Sequence, residues 1–142
     1  MSARPLPAPP FVLSWKLVIW LARILVVDDE PIVRNLVRRT LEKVGHEVTE
    51  AEDGEVALNA SREQPMDLVV ADLFMPVMDG LQLIAQLHEE SPDTKILAIS
   101  GSVYERRPRF LEIAGRMKAV VTLAKPFSTE ELLAAVEEAL GT

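Results

Sequence analysis

Cysteine is missing from the 142 residues. That excludes a disulfide framework and any thiolate metal site. An excess of positive charge is missing too: the formal net charge is −7. Nucleic-acid binders usually carry a basic face, and no basic stripe runs through this chain. Its densest basic cluster, Arg106, Arg107 and Arg109, is short, follows Glu105 and reads as a solvated helix start. A membrane-spanning run is also lacking. The most apolar segment, residues 11–22, is too short to cross a bilayer and Lys16 interrupts it. As a signal peptide it has its lysine mid-run and a poor cleavage pattern. What is present is ordinary for a soluble globular protein, 49% apolar and 26% charged, with enough length for one domain with a proper core.

Residues 1–22 differ from the rest. The first ten hold four prolines and one arginine, a composition expected to be extended or disordered. Residues 11–22 then carry both tryptophans in an almost wholly apolar run. The favoured reading is an N-terminal extension outside the fold, with the domain at 23–142. Contact with a membrane surface or a partner is the alternative, because exposed apolar patches usually touch something.

From Arg23 onward, apolar runs alternate with helical periodicity. Strands are expected at 24–27, 47–51, 68–71, 95–99 and 119–124. Helices should fill the intervals, with a loosely defined one over 104–117 that contains Pro108. Pro31 suits a first helical turn and Gly45 a C-terminal cap. Ser128 and Glu131 form a capping box. The strand–helix units, about 20 to 28 residues long, have connections of the usual α/β length. They predict an α/β, doubly wound, five-stranded parallel sheet of flavodoxin-like order 2-1-3-4-5 with helices on both faces.

Such sheets keep their chemistry at the carboxyl ends of the strands. Four strand ends deliver Asp28-Asp29, Asp72, Ser100 and Lys125 to that edge. Two carboxylates 4 Å apart repel by about 4 kcal/mol at an effective dielectric near 20. Lys125 offsets part of this, and a hard divalent cation would offset the rest. An oxygen-only site open to water suits Mg²⁺ and leaves positions for phosphate oxygens. A carboxylate shielded by such cations can attack phosphorus. Ser100 could donate a hydrogen bond to the transferred group, with Gly101 leaving space beside it. Taken singly, each residue has a simpler explanation as a turn or helix-start residue; their convergence on one edge carries the argument.

The motifs Asp28-Asp29, Asp72 with Met75-Pro76 and Asp79-Gly80, Ser100-Gly101, and Lys125-Pro126-Phe127 together resemble a two-component response-regulator receiver domain over about five-sixths of the chain. The resemblance implies that Asp72 accepts a phosphoryl group from a phosphohistidine of a sensor kinase or phosphotransfer protein. It implies Mg²⁺ (or Mn²⁺) held by Asp29, Asp72 and the backbone carbonyl of Phe74, with Asp28 acting through water. Ser100 and Lys125 would contact the phosphoryl oxygens, and Pro76, Gly80, Gly101 and Pro126 would support the loops. Phosphorylation would shift the face of the fourth helix, fifth strand and fifth helix to control a protein partner. The implied protein is cytoplasmic, not an enzyme beyond catalysing its own phosphorylation and dephosphorylation, a monomer or weak dimer, and without direct nucleic-acid contact.

Two positions depart from the family pattern. Receivers commonly carry an aromatic switch residue three places before the lysine, where this chain has Thr122; Tyr104 has no basis for replacing it. Phe74, two residues after Asp72, is expected to shield the acyl phosphate from water and prolong its life. Because the sequence ends at Thr142, a stand-alone receiver is expected, with a receiver cut from a larger protein as the alternative. A degenerate receiver that binds proteins without phosphorylation is the competing function. A haloacid-dehalogenase-type hydrolase would need an acid where Phe74 stands. A flavin-type phosphate loop would not carry Asp28-Asp29-Glu30.

Overall fold

The computed structural model describes residues 4–5, 20–73, 75, 78, 80–100 and 120–141. The expectations placed on Phe74, Pro76, Asp79, Gly101, Tyr104, the Arg106, Arg107 and Arg109 cluster, the helix at 104–117 and most of residues 1–22 lie outside these residues. Within the first 22, Arg4–Pro5 pairs antiparallel with Trp20–Leu21. Ala22 is already part of the core, and its backbone N–H donates to His46 Nδ1 at 3.1 Å.

Five parallel strands form the main sheet: β1 (Arg23–Val27), β2 (Glu47–Ala51), β3 (Leu68–Asp72), β4 (Lys95–Ser100) and β5 (Val120–Ala124). Their order is β2-β1-β3-β4-β5, as the alternating pattern predicts. β3 and β4 each run one residue further than the apolar pattern suggests. Asp72 is therefore the last rung of its strand, opposite Ile99, rather than the first residue beyond it.

Side chains alternate across the sheet, so each buried strand feeds two cores. Leu25, Val27, Val69, Ala71, Ile96 and Ala98 face α2 (Gly54–Glu63) and α3 (Gly80–Glu90). Ile24, Val26, Leu68, Val70, Leu97 and Ile99 face α1 (Pro31–Lys43) and α4 (Thr129–Gly141), the helix expected as the fifth. Each fully buried Leu or Ile contributes about 1.5–3 kcal/mol, so both layers hold the strands in register.

Local signals set the helix ends. Pro31 opens α1, and Gly45 follows its end at φ +102°, a left-handed conformation that a side chain resists. Asp53 caps α2 by accepting from the Val56 N–H at 2.9 Å. Ser128 and Glu131 exchange hydrogen bonds, N–H to Oε1 at 3.0 Å and N–H to Oγ at 3.1 Å, completing the capping box of α4. Among the described residues no helix is long and apolar enough to cross a membrane.

Candidate functional site

β1 and β3 lie side by side, so the residues at their carboxyl ends are neighbours at the point where the strand order reverses. Asp28 directly follows β1 and is buried; Asp29 beside it is exposed; Asp72 ends β3 at 5% exposure. One carboxylate oxygen from each of the three lies within 4.8 Å of the others. Lys125 follows β5 and reaches across the intervening β4. Its Nζ stands 3.4 Å from Asp72 Oδ2 and 3.8 Å from Asp28 Oδ2. Ser100 ends β4, is buried, and its carbonyl accepts from the Lys125 N–H at 2.7 Å. Five side chains expected at one edge are thus delivered to it.

Burial raises the Asp28 carboxyl to a pKa of about 6, and repulsion from Asp72 and Asp29 adds to the rise. The Glu30 N–H, donating to Asp28 Oδ1 at 2.8 Å, and the Lys125 ammonium work against it. For Lys125, burial disfavours the charge, but Asp72 and Asp28 outweigh it and hold its pKa above the usual lysine value. The cluster is therefore short of positive charge even with its lysine in place. Oxygen donors only, two of the three carboxylates buried and one exposed, fit a hard divalent cation that keeps some water.

The loops at this edge are held by contacts that tolerate little change. Gly80 N–H donates to the Leu73 carbonyl at 3.0 Å. A Cβ on Gly80 would collide with the Asp72 carbonyl oxygen and Leu73 Cα, so glycine is required there by close approach rather than by φ. A Cβ on Gly54 would press on the Met78 side chain at 2.7 Å. The loop after Asp72 thus rests on the start of α2. The Lys125–Pro126 peptide is cis, and Pro126 is exposed. Thr122 is exposed in the middle of β5.

Reading motifs one by one misses Arg34. Its Nη1 donates to the Asp28 carbonyl at 2.7 Å, and its Nε pairs with Glu50 Oε1 at 3.0 Å. Arg38 Nε reaches the other Glu50 oxygen at 3.1 Å. The available signal was two arginines four apart on α1 facing a carboxylate on the half-buried strand β2.

Residues 24–137 match the family described as the response regulator receiver domain. Over 115 residues the chain is 43% identical to "Response regulator MprA" of Mycolicibacterium vanbaalenii, covering 79% of this chain and 47% of that protein. The chain spans about half the length of such relatives. It is 32% identical to "Response regulator receiver protein CpdR" of Brucella abortus over 83% of this chain and 96% of the other. Chemotaxis protein CheY4 of Vibrio cholerae superposes with a TM-score of 0.77 at 31% identity, covering 84% of this chain and 99% of that one. With the strand order and the match along most of its length, the chain belongs to the response regulator receiver domain family.

Proposed function

We propose that the protein is a phosphoacceptor, with Asp72 taking a phosphoryl group from a phosphohistidine on a sensor kinase or phosphotransfer protein. One observation carries this: the Asp72 carboxylate ends a central strand with a lysine 3.4 Å away and two further carboxylates close enough to share a cation. An Asp72 oxygen attacks phosphorus, the P–N bond breaks, and its electron pair returns to the imidazole nitrogen, which takes up a proton. The product is an acyl phosphate. Lys125 and the Ser100 hydroxyl would bind its oxygens. Asp29, Asp72 and the Phe74 carbonyl, with Asp28 through water, would hold Mg²⁺ or Mn²⁺. When bound, that cation neutralises charge between carboxylate and phosphate.

A phosphodonor has an apolar seat beside this edge. Ile32 and Leu36 lie one turn apart on α1, at 84% and 60% exposure, and α1 begins two residues after Asp29. The reading is of a cytoplasmic signalling domain, not an enzyme acting on other molecules, that controls a partner protein through β5, α4 and the segment between β4 and β5. Pro76, Gly101 and Pro126 would shape the loops around the phosphoryl group.

Incubation with acetyl phosphate or phosphoramidate and Mg²⁺, followed by intact mass measurement, tests the proposal. One added phosphoryl group, absent in Asp72→Asn, is the expected result. No gain in a folded wild-type protein would favour the second reading, a phosphorylation-independent binding module. Thr122, with no ring at the usual switch position, is the residue that favours that second reading.

A further inference from the structure

All 22 acidic residues lie from Asp28 onward, while residues 1–27 carry only Arg4, Lys16 and Arg23 as charged side chains. Within that acid-free stretch, residues 11–22 are apolar at every position but Ser14 and Lys16, and they include both tryptophans of the protein. The fold fixes where this segment is attached. Arg4 pairs with Leu21 and Pro5 with Trp20, so residues 6–19 leave and rejoin the domain at one place. That place is the amino end of β1. There the Ala22 carbonyl accepts from the Glu47 N–H at 3.0 Å, and the Ala22 N–H donates to His46 Nδ1 at 3.1 Å. Leu21 Cδ2 stands 3.3 Å from where a Cβ on Gly45 would sit. We propose that residues 11–20 seat the domain on an anionic bilayer surface, entering one leaflet without crossing it.

Polarity and length decide the occupant. An element that docks on a protein keeps one polar side, and Ser14 and Lys16 are too few to supply one. A segment apolar all round belongs in a core or in lipid. Among the described residues the two cores take only Ala22 from this segment, and Leu21 stays half-exposed. The run is too short to span a bilayer, which leaves the interface. There a Trp ring sets its apolar body toward the acyl chains and its N–H toward the headgroups. Arg4 and Lys16 supply attraction to anionic headgroups. Arg23 offsets the nearby Glu47, its Nε 3.7 Å from that carboxylate. The acidic edge does not oppose attachment. Five residues of β1, about 16 Å of strand, separate the root from Asp28, more than the screening length of about 10 Å at 0.1 M salt. The edge that holds Asp72 therefore stays open to solvent while the opposite end rests on lipid.

The inference takes nothing from the phosphoacceptor reading, and phosphoryl uptake from acetyl phosphate should be unaffected by vesicles. The probe is a vesicle of phosphatidylglycerol and phosphatidylcholine in equal parts, with pure phosphatidylcholine as its counterpart. Co-sedimentation of the full chain reads binding. Tryptophan emission reads insertion, because both rings of the protein lie in this segment. Saturable binding to the anionic vesicles is expected, with a blue shift in emission. Lys16→Glu should weaken it at least about fivefold, the equivalent of one basic residue at a charged surface. Arg39→Glu, the same charge change on an exposed site of α1, should not. Trp15→Asp should abolish it without changing the melting temperature. Raising salt from about 0.1 to about 1 M, which shortens the screening length from about 10 to about 3 Å, should weaken it as well. No sedimentation, equal binding to both vesicles, or equal loss in Lys16→Glu and Arg39→Glu would each overturn the proposal. So would self-association of the lipid-free chain that Trp15→Asp removes, since the segment would then join protein copies.

Discussion

The Arg34 guanidinium donates a 2.7 Å hydrogen bond to the main-chain carbonyl of Asp28. From the other side, the Asp28 N–H donates to the Ala51 carbonyl at 3.2 Å. The two peptide units that flank the Asp28 side chain are thus tied, one to β2 and the other to α1, with Glu50 holding the arginine in place.

That tie should be felt by a cation. Arg34→Ala is expected to weaken Mg²⁺ binding roughly tenfold, the lower end for losing an outer partner of a metal ligand. Calorimetric titration checks this. Unchanged affinity with a lowered melting temperature would reduce Arg34 to a purely structural role.

Gly80→Ala should destabilise the fold by about 1–3 kcal/mol, because the new methyl meets backbone that cannot rotate away. Gly141→Ala, with nothing within 4 Å of its added Cβ, should be near neutral. Urea denaturation of both variants gives the comparison. The Gly80 variant should also take up phosphate more slowly, since the atoms displaced belong to Asp72 and Leu73.

His46 should make stability depend on pH. Burial lowers its pKa below the usual 6.5, and Glu137 offsets this only in part. The folded state then binds fewer protons than the unfolded chain near and below pH 6.5. Its stability rises with pH through that window and is lost as the solution is acidified. Protonation would also remove the acceptor of the Ala22 N–H. The urea midpoint should fall between pH 7.5 and pH 5.5 by less in His46→Gln than in wild type. Equal falls would assign the dependence to other groups.

Ile32→Asp should slow phosphoryl transfer from a phosphohistidine donor at least about fivefold, the rate equivalent of about 1 kcal/mol, and leave uptake from acetyl phosphate unchanged. Only a protein donor needs the exposed α1 surface. Radiolabel transfer assays with both donors separate the two cases.

Strand order and both helical layers were legible in the chain because apolar periodicity reports which faces must be buried. Ile24 to Val27, apolar at every position, marks a strand covered on both faces, and Asp53, Ser128 and Gly45 mark their helix ends by local chemistry alone. The carboxyl-edge residues were legible for a related reason: a polar residue closing an apolar strand has few places to go. Asp72 as a buried rung was not legible, since pairing with Ile99 depends on β4 continuing beside it. Nor were the roles of Arg34, Glu50, Gly54 and Met78, which come from separate elements and meet only after the helices have docked.

Order along the chain therefore dictated the sheet, its two cores and the identity of the charged residues at one edge, since burial of apolar side chains and capping act over short spans. Folding in three dimensions decided the rest: how near Lys125 stands to Asp72 and Asp28, and how far burial raises the Asp28 carboxyl. Those quantities depend on distances between distant segments and on the water excluded around them, which no local pattern encodes.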